Sequence, residues 1–142
     1  MSEAKKRGME VCLDLASYNI VYENLDFFNH LLKDYVDIVF ANEDESRALT
    51  SALPEEALAV LGGMCGTGVV KRGARGSSAR RAAETVVVSA QKVERVVDTT
   101  GAGDYFAAGF LEGYIKGESL AECLERGGSL SAEVIQVIGC PI

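Results

Sequence analysis

The sequence VVDTTGAGDYFAAGFLEGY, residues 96–114, decides how this chain of 142 residues is interpreted. Three consecutive small residues at 101–103 predict a tight turn, and the apolar run that begins at Tyr105 predicts a helix. A turn that leads into a helix presents backbone N–H groups to an anion. A carboxylate, Asp104, nevertheless stands where the anion would be expected, and a second carboxylate, Asp98, lies just upstream.

The carboxylate and the anion are compatible if they take part in different steps of one reaction. The partial positive charge at a helix N-terminus favours an ionised carboxylate, and a partly dehydrated carboxylate is a suitable general base for a hydroxyl group. The N–H groups of residues 102–104 stay available for an oxyanion or a phosphoryl group. An ordinary helix cap is the alternative for Asp104. The apolar sequence from Phe106 to Leu111 argues against that alternative, because it predicts a buried helix whose unpaired carboxylate needs a partner or a function.

Composition and charge favour one globular domain over residues 1–142. The chain is 48% hydrophobic and 25% charged, and its net charge of −7 disfavours nucleic acid and anionic membranes as partners. No apolar run approaches the ~18 residues that span a bilayer. A basic cluster without aromatic residues is interpreted as a solvated hairpin rather than a nucleic-acid surface; it contains Lys71, Arg72, Arg75, Arg80 and Arg81.

The cysteines are widely spaced, and His30, the single histidine, is interpreted as structural. This spacing lacks the ligand pattern of a zinc site, so we predict buried thiols in a reducing cytoplasm. The four positions are Cys12, Cys65, Cys123 and Cys140. The N-terminal sequence also lacks the apolar core of a signal peptide, which agrees with a cytoplasmic location.

Strands that alternate with helices predict a parallel α/β sheet. Buried strands are predicted at MEVCLDLA, VDIVFAN and GVVKRG, and helices at ENLDFFNHLLKDY, EDESRALTSAL and PEEALAVLGGM. SSARR and ETVVVSA predict an antiparallel edge. Two helices follow, the second weakened by Gly127 and Gly128. Since ligands bind at the carboxyl ends of such strands, the candidate site includes the polar residues at these ends, which are Asp14, Asn42, Lys71, Gly73 and Asp98.

Other glycine motifs have little support. The chain has no Gly-x-x-x-x-Gly-Lys-Ser/Thr phosphate loop, and GTGVVK has Lys71 where a dinucleotide fold needs its third glycine. DTTGA is one residue away from the Asp-Thr-Gly-Ala of dimeric aspartic proteases, but those are all-β proteins and this chain has strong helical patterns.

The opening stretch resembles the C-terminal signature of the PfkB carbohydrate kinase family, which includes ribokinase, fructokinase and adenosine kinase. VDIVFANEDES is similar to the family's Asn-x-x-Glu segment, VVKRGARGS to its strand–glycine segment, and CLDLASYNIV to the strand before them. The resemblance extends over roughly residues 8–139. It implies a ribokinase-like, three-layer α/β fold with helices on both faces of a mostly parallel sheet that has an antiparallel edge.

The resemblance also implies an activity, the transfer of the γ-phosphoryl group of ATP to a hydroxyl of a sugar or nucleoside acceptor. The cofactors implied are ATP, Mg²⁺ and, in many members, a monovalent cation such as K⁺. Asp104 would be the catalytic base, and the anion hole would consist of Gly101, Ala102 and Gly103. The nucleotide-binding residues would be Asn42, Glu45, Lys71, Gly73 and Gly76.

Two metal roles follow from the same resemblance. Glu45 would help to place magnesium through water, and Asp98 with Thr100 would lie in the monovalent-cation site. Alternatives stay open, because Asn42 and Glu45 also have the spacing of a helix capping box, and Gly73 and Gly76 fit plain hairpin glycines.

The chain departs from the family in length. Members carry an N-terminal half with the acceptor site and a β-sheet lid, which nothing here matches, and SEAKKRG opens the chain as the last turn of a helix. We therefore expect a partial fold, the C-terminal half of a kinase, inactive or weakly active alone and weakly similar to the adenosine-kinase branch. The alternative is a non-catalytic nucleotide-binding module that associates with itself or with a missing half.

Overall fold

The computed structural model describes residues 1–139, so Cys140 lies outside the described residues. The helices are α1 (Ser2–Lys6), α2 (Tyr18–Glu23), α3 (Leu25–Asp34), α4 (Glu43–Thr50), α5 (Pro54–Met64), α6 (Ala102–Ile115) and α7 (Leu120–Val134). The strands are β1 (Cys12–Asp14), β2 (Ile38–Asn42), β3 (Thr67–Lys71), β4 (Ser77–Arg81) and β5 (Glu84–Val88), and a short 3₁₀ turn covers Gly73–Arg75. None of the helices within residues 1–139 has the length and apolar character that a bilayer span requires.

The five strands form one mixed sheet in the order β1-β2-β3-β4-β5. The first three are parallel, with Asp14 level with Phe40 and Asn42 level with Lys71. Only two residues connect β4 to β5, a connection that is possible only between antiparallel strands. The predicted parallel sheet with an antiparallel edge is confirmed.

The chain divides into two compact units. The first comprises residues 1–72 and 78–85, and the second comprises residues 73–77 and those from Val86 onward. In the first unit, α3, which lies within the predicted helix ENLDFFNHLLKDY, faces the core through Phe28 and Leu32, which pack with residues of β2 and α5 such as Val39 and Leu61. Helical spacing of the apolar side chains explains this burial.

One prediction about the start of the first unit is wrong, and one helix there was missed. The predicted strand MEVCLDLA is only three residues long and is not buried, since Cys12 is exposed. It is the first strand in the sheet order, and within residues 1–139 it pairs with β2 alone. Helix α2, which begins after Ser17, was not predicted at all.

The buried thiols are confirmed at two positions and contradicted at Cys12. Cys65 and Cys123 are buried. Burial raises the pKa of the Cys65 thiol to about 11, so it stays protonated at neutral pH. The exposure of Cys12 follows from its position on the edge strand.

Helices α6 and α7 of the second unit approach each other at glycines. A Cβ atom on Gly109 would lie 2.7 Å from the Arg126 carbonyl oxygen, and one on Gly127 would lie 2.8 Å from the Phe106 carbonyl oxygen. Gly127 therefore permits backbone-to-backbone packing and does not simply weaken α7. Helix α7 is continuous, and its capping box at Ser119 and Glu122 fixes its start.

Alanine at the two adjacent glycines of α7 is expected to have opposite effects. Gly127→Ala should lower the free energy of unfolding by about 2 kcal/mol, because the new methyl group meets backbone. Gly128→Ala should raise it by about 0.5–1 kcal/mol, because a Cβ there meets nothing closer than Gln91 at 4.0 Å and alanine favours helix. Urea unfolding of both variants tests the pair, and equal effects would contradict the packing argument.

Candidate active site

The predicted site residues fall into two sets, one in each unit. The second unit holds Gly73, Gly76, Asp98, Thr100 and residues 101–104, and the first holds Asn42, Glu45 and Lys71. Asp14, which also ends a strand, joins the first set.

Helix α6 of the second unit begins earlier in the glycine turn than predicted. Gly101 is the N-cap residue with φ +80°, a backbone conformation that glycine adopts without strain, and α6 begins at Ala102 rather than at Asp104 or Tyr105. The Ala102 N–H donates to the Thr99 carbonyl oxygen at 3.2 Å, so it is not available as predicted. Within residues 1–139 the N–H groups of Gly103 and Asp104 donate no hydrogen bond, which leaves two donors at the start of a 14-residue helix.

Asp104 lies in the first turn of α6 and its side chain is exposed. The prediction that Asp104 lies at a buried end of the helix is therefore wrong. Phe106 and Phe110 are buried, but Asp104, Ala108 and Glu112 recur at four-residue intervals along an exposed face. The Asp104 carboxylate caps no N–H group, and in the part of the chain that the structure describes it makes no hydrogen bond or ion pair. It is thus available to an external group.

Asp98 organises the segment before the glycine turn. Its Oδ1 accepts from the Thr100 N–H at 2.9 Å and from the Thr100 hydroxyl at 2.7 Å, and its Oδ2 accepts from the Gly139 N–H at 3.0 Å. These three donors, led by the Thr100 hydroxyl, lower the pKa of Asp98. Both oxygens of Asp98 therefore already serve a structural purpose. A role for Asp98 and Thr100 at a monovalent cation stays a prediction.

Asp98→Asn is expected to destabilise the protein in a pH-dependent way. Because the folded state lowers the pKa of Asp98, its contribution is present above the pKa of the unfolded chain, about 3.9, and is lost as the pH falls through the folded value. The difference in unfolding free energy between wild type and variant should thus be largest near pH 7 and shrink below about pH 4. Urea unfolding at both pH values tests this. In a Thr100→Val background, the effect of Asp98→Asn on the unfolding free energy should depend less on pH. An effect of Asp98→Asn that is the same at both pH values would contradict this prediction.

The carboxyl edge of the parallel strands in the first unit collects Asp14, Asn42 and Lys71, as predicted. Strand register places the three side chains on one face of the sheet, since Asp14 is level with Phe40, and Asn42 and Lys71 lie two residues beyond that level. Leu15 extends the pairing, because its N–H donates to the Phe40 carbonyl oxygen at 3.0 Å.

Asn42 and Glu45 form a capping box at the start of α4. The Asn42 Oδ1 accepts from the Glu45 N–H at 2.8 Å, and the Glu45 Oε2 accepts from the Asn42 N–H at 2.8 Å. The Asn42 Nδ2 also donates to Glu45 Oε1 at 3.0 Å. Glu45 is only 4% exposed, and burial raises its pKa, although the Asn42 N–H and Lys71 oppose this shift. The capping alternative is therefore confirmed, and the carboxylate is not oriented as a direct magnesium ligand.

The two cations that end β3 are both held by carboxylates. Lys71 Nζ lies 2.7 Å from Asp14 Oδ2, and Arg72 Nε lies 3.3 Å from Glu43 Oε1. With side chains only about one-fifth exposed, these residues do not belong to a solvated hairpin, so that interpretation is wrong for them. No local pattern pointed to either partner, because the partners lie 57 and 29 positions away.

Gly73 and Gly76 bound a short turn rather than the hairpin turn, which is at Ala82 and Ala83. The Gly76 N–H donates to the Gly73 carbonyl oxygen at 3.0 Å. Gly73 has φ +57° and open space around its Cβ position, whereas Gly76 has φ +91° and its Cβ would lie 2.0 Å from the Val88 carbonyl oxygen. Gly76 is thus required by packing inside the second unit, and Gly73 is open to an approaching group.

Comparison with known proteins gives consistent results. The model of the pfkB family carbohydrate kinases matches residues 3–142. A 2-dehydro-3-deoxygluconokinase of Haemophilus influenzae is 33% identical over 152 aligned residues, which cover 100% of this chain and 48% of that protein.

Solved structures show the same fold. A probable sugar kinase from Rhizobium etli CFN 42 superposes with a TM-score of 0.92 and 38% identity, over 96% of this chain and 42% of that one. The adenosine kinase from Sinorhizobium meliloti gives a TM-score of 0.91 and 41% identity over the same shares. The predicted ribokinase-like α/β fold is confirmed. This chain spans less than half the length of these three proteins.

Proposed function

The chain belongs to the pfkB family of carbohydrate kinases, and we propose on this premise that it supplies the ATP-binding part of an enzyme that phosphorylates a hydroxyl group of a sugar or nucleoside. Its relatives are sugar and nucleoside kinases, including an adenosine kinase from Schizophyllum commune. The observation that carries the proposal is the first turn of α6, where an exposed, unbonded carboxylate stands beside two N–H groups that have no internal partner within residues 1–139.

The backbone of this turn is suited to hold an anion. The Gly103 and Asp104 N–H groups point out of the helix start, where the aligned peptide dipoles add partial positive charge. The left-handed Gly101 lets the chain enter the helix there. We assign to these two N–H groups the stabilisation of charge on a phosphoryl group during transfer, the main requirement of such reactions.

Asp104 is assigned the role of general base. Its carboxylate would accept the proton of the acceptor hydroxyl as the hydroxyl oxygen attacks the γ-phosphorus of ATP. The aspartate is suited to this because it caps no N–H group and pairs with no cation within residues 1–139. The bond from the γ-phosphorus to its bridging oxygen breaks, and ADP leaves with that oxygen.

The first unit is assigned the binding of polyphosphate at its carboxyl edge. Lys71 supplies positive charge there, and Asn42 and Glu45 shape the edge through their capping box. Bound magnesium would neutralise phosphate charge during transfer. Glu45 is buried and hydrogen-bonded on both oxygens, so it fits magnesium only through water. A K⁺ requirement and a cytoplasmic location are also part of the proposal.

One observation favours a second function, a module that associates with another polypeptide. Apolar side chains are exposed on α2 and α3 of the first unit, and the rings of Tyr18 and Tyr22 stack with centroids 6.2 Å apart. Within residues 1–139, strand β1 pairs with β2 alone, so its other edge can pair with a further strand. On this alternative the chain would pair with a second copy or with a complementary kinase half, and alone it would be weakly active or inactive.

Calorimetry with Mg-ATP and a transfer assay with radiolabelled ATP test the proposal, with adenosine and ribose as acceptors. We expect saturable Mg-ATP binding and slow transfer, well below the ~1–100 s⁻¹ of complete kinases. Size-exclusion chromatography separates the alternatives. Oligomers without nucleotide binding would favour the association module and contradict the kinase assignment.

A further inference from the structure

The ion pair between Asp14 and Lys71 joins two strands that are not neighbours. Asp14 ends β1 and Lys71 ends β3, with β2 between them, so the pair crosses the end of β2 where Asn42 begins the cap of α4. The distance from Lys71 Nζ to Asp14 Oδ2 is 2.7 Å, and the side chains are 19% and 29% exposed. In this partly dehydrated setting, the pairing is stronger than at an open surface.

Asp14 is the fixed partner in this pair. Its Oδ1 accepts from the Ala16 N–H at 3.1 Å, and Ala16 has φ +63°, so the carboxylate is part of a tight turn. Lys71 has a flexible four-carbon stem and no second hydrogen bond within residues 1–139. A group that competes for the pair would therefore move the ammonium group and leave the carboxylate in place.

The surroundings make competition by an anion difficult. The next cation, Arg72, is held by Glu43. Carboxylates outnumber the two cations at this edge; they are Asp14, Glu43, Asp44 and Glu45. A polyphosphate that recruits Lys71 would leave Asp14 partly buried without its partner and close to further negative charge, and both consequences are unfavourable.

We propose that Asp14 is an internal competitor for Lys71, which weakens polyphosphate binding at the carboxyl edge of the first unit. The inference rests on the proposed function in so far as it places the phosphates of the nucleotide beside Lys71. It goes beyond that function by assigning Asp14 a regulatory effect on affinity. Lys71 reaches a phosphate only when its ammonium group leaves Asp14.

Asp14→Asn should raise the affinity of the chain for inorganic tripolyphosphate and for Mg-ATP by about tenfold. Asparagine has the same shape, and its Oδ1 can still accept from the Ala16 N–H, so the turn is kept while the charge is removed. Isothermal titration calorimetry with tripolyphosphate alone measures the effect without any dependence on kinase activity. Asp14→Ser is the second variant, since its hydroxyl can also serve Ala16.

The gain must depend on Lys71. In a double-mutant cycle, Lys71→Met should abolish the gain caused by Asp14→Asn. Glu23→Gln, an exposed carboxylate of α2, is the matched control for net charge and should change neither affinity. A gain that persists with Met at position 71, or no gain for either Asp14 variant, would overturn the proposal.

The outcomes also separate this inference from the proposed function. If wild type binds and transfers phosphate from Mg-ATP but the Asp14 variants gain nothing, only the competitor role fails. If the variants gain tripolyphosphate affinity through Lys71 but no protein binds Mg-ATP, the competitor role stands and the kinase assignment fails.

Discussion

Gly76→Ala is expected to lower the free energy of unfolding by about 2–5 kcal/mol. A non-glycine residue in the left-handed region costs roughly 1–2 kcal/mol, and the φ of Gly76 is +91°. The added Cβ would also lie 2.0 Å from the Val88 carbonyl oxygen and 2.7 Å from the Ala90 nitrogen. Both are backbone atoms that cannot rotate away, so the strand end must shift, at a further cost of about 1–3 kcal/mol. The sum is a large share of the 5–15 kcal/mol typical of whole proteins.

Gly73→Ala is the matched control for this prediction. It introduces the same methyl group at φ +57° three residues earlier, with no heavy atom within 4 Å. Only the backbone cost applies, so about 1–2 kcal/mol is expected. Urea unfolding followed by circular dichroism compares the two variants. Similar losses at the two positions would show that the close approach at Gly76 does not govern stability.

The two glycines also differ in what a binding experiment can reveal. A Gly76 variant that loses nucleotide affinity would do so together with its stability, because the position is filled by the protein's own backbone. A Cβ added at Gly73 meets no heavy atom within 4 Å, so alanine there changes the packing little. Nucleotide contact in this segment is therefore best tested at Gly73.

Strong periodic patterns made much of the fold predictable. VDIVFAN and GVVKRG are continuous apolar sequences, and they form β2 and β3, which have neighbours on both sides. Helices α4 and α5 start where Asn42 and Pro54 predicted. In each case the local sequence and the tertiary environment favour the same structure.

The wrong predictions concern residues whose burial or packing is determined by neighbours that are distant in the sequence. MEVCLDLA has an apolar pattern, but its place at the end of the sheet order leaves Cys12 exposed. Gly127 is an unfavourable residue for an isolated helix, yet contact with the Phe106 backbone makes it necessary. Position in a sheet and the distance between two helices are not encoded in a short stretch of sequence.

In the candidate site, too, the local sequence predicts the residue types, whereas tertiary structure determines their contacts. The residue types at Asn42, Lys71 and Asp104 could be found from the sequence, because the first two end strands and the third lies in the first turn of a helix. Asp98 was predicted at the end of a strand, and that placement is wrong, since residues 89–98 form no strand. The partners of these residues could not be found. The Asp14–Lys71 pair depends on the register of β1 and β3 across β2, and the exposure of Asp104 depends on which face of α6 is packed.

Asp104→Asn is expected to reduce phosphoryl transfer by about 10²–10⁴-fold, the usual contribution of a general base. Asparagine has the same size, and its Oδ1 can accept a hydrogen bond from the acceptor hydroxyl, but it cannot take the proton. The backbone N–H groups of residues 103 and 104 remain in place in this variant, so Mg-ATP affinity should not fall. Single-turnover transfer from radiolabelled ATP and calorimetry with Mg-ATP measure the two quantities separately.

Glu112→Gln provides the control for Asp104→Asn, because Glu112 is an exposed carboxylate two turns further along the same helix and its loss changes net charge equally. Transfer by this variant should match wild type. If Asp104→Asn weakens Mg-ATP binding and leaves the transfer step unchanged, Asp104 acts through the nucleotide and not on the acceptor hydroxyl. If Asp104 removes the proton, the substitution should slow the transfer step and leave Mg-ATP affinity unchanged, because it does not alter the two N–H donors at the helix start.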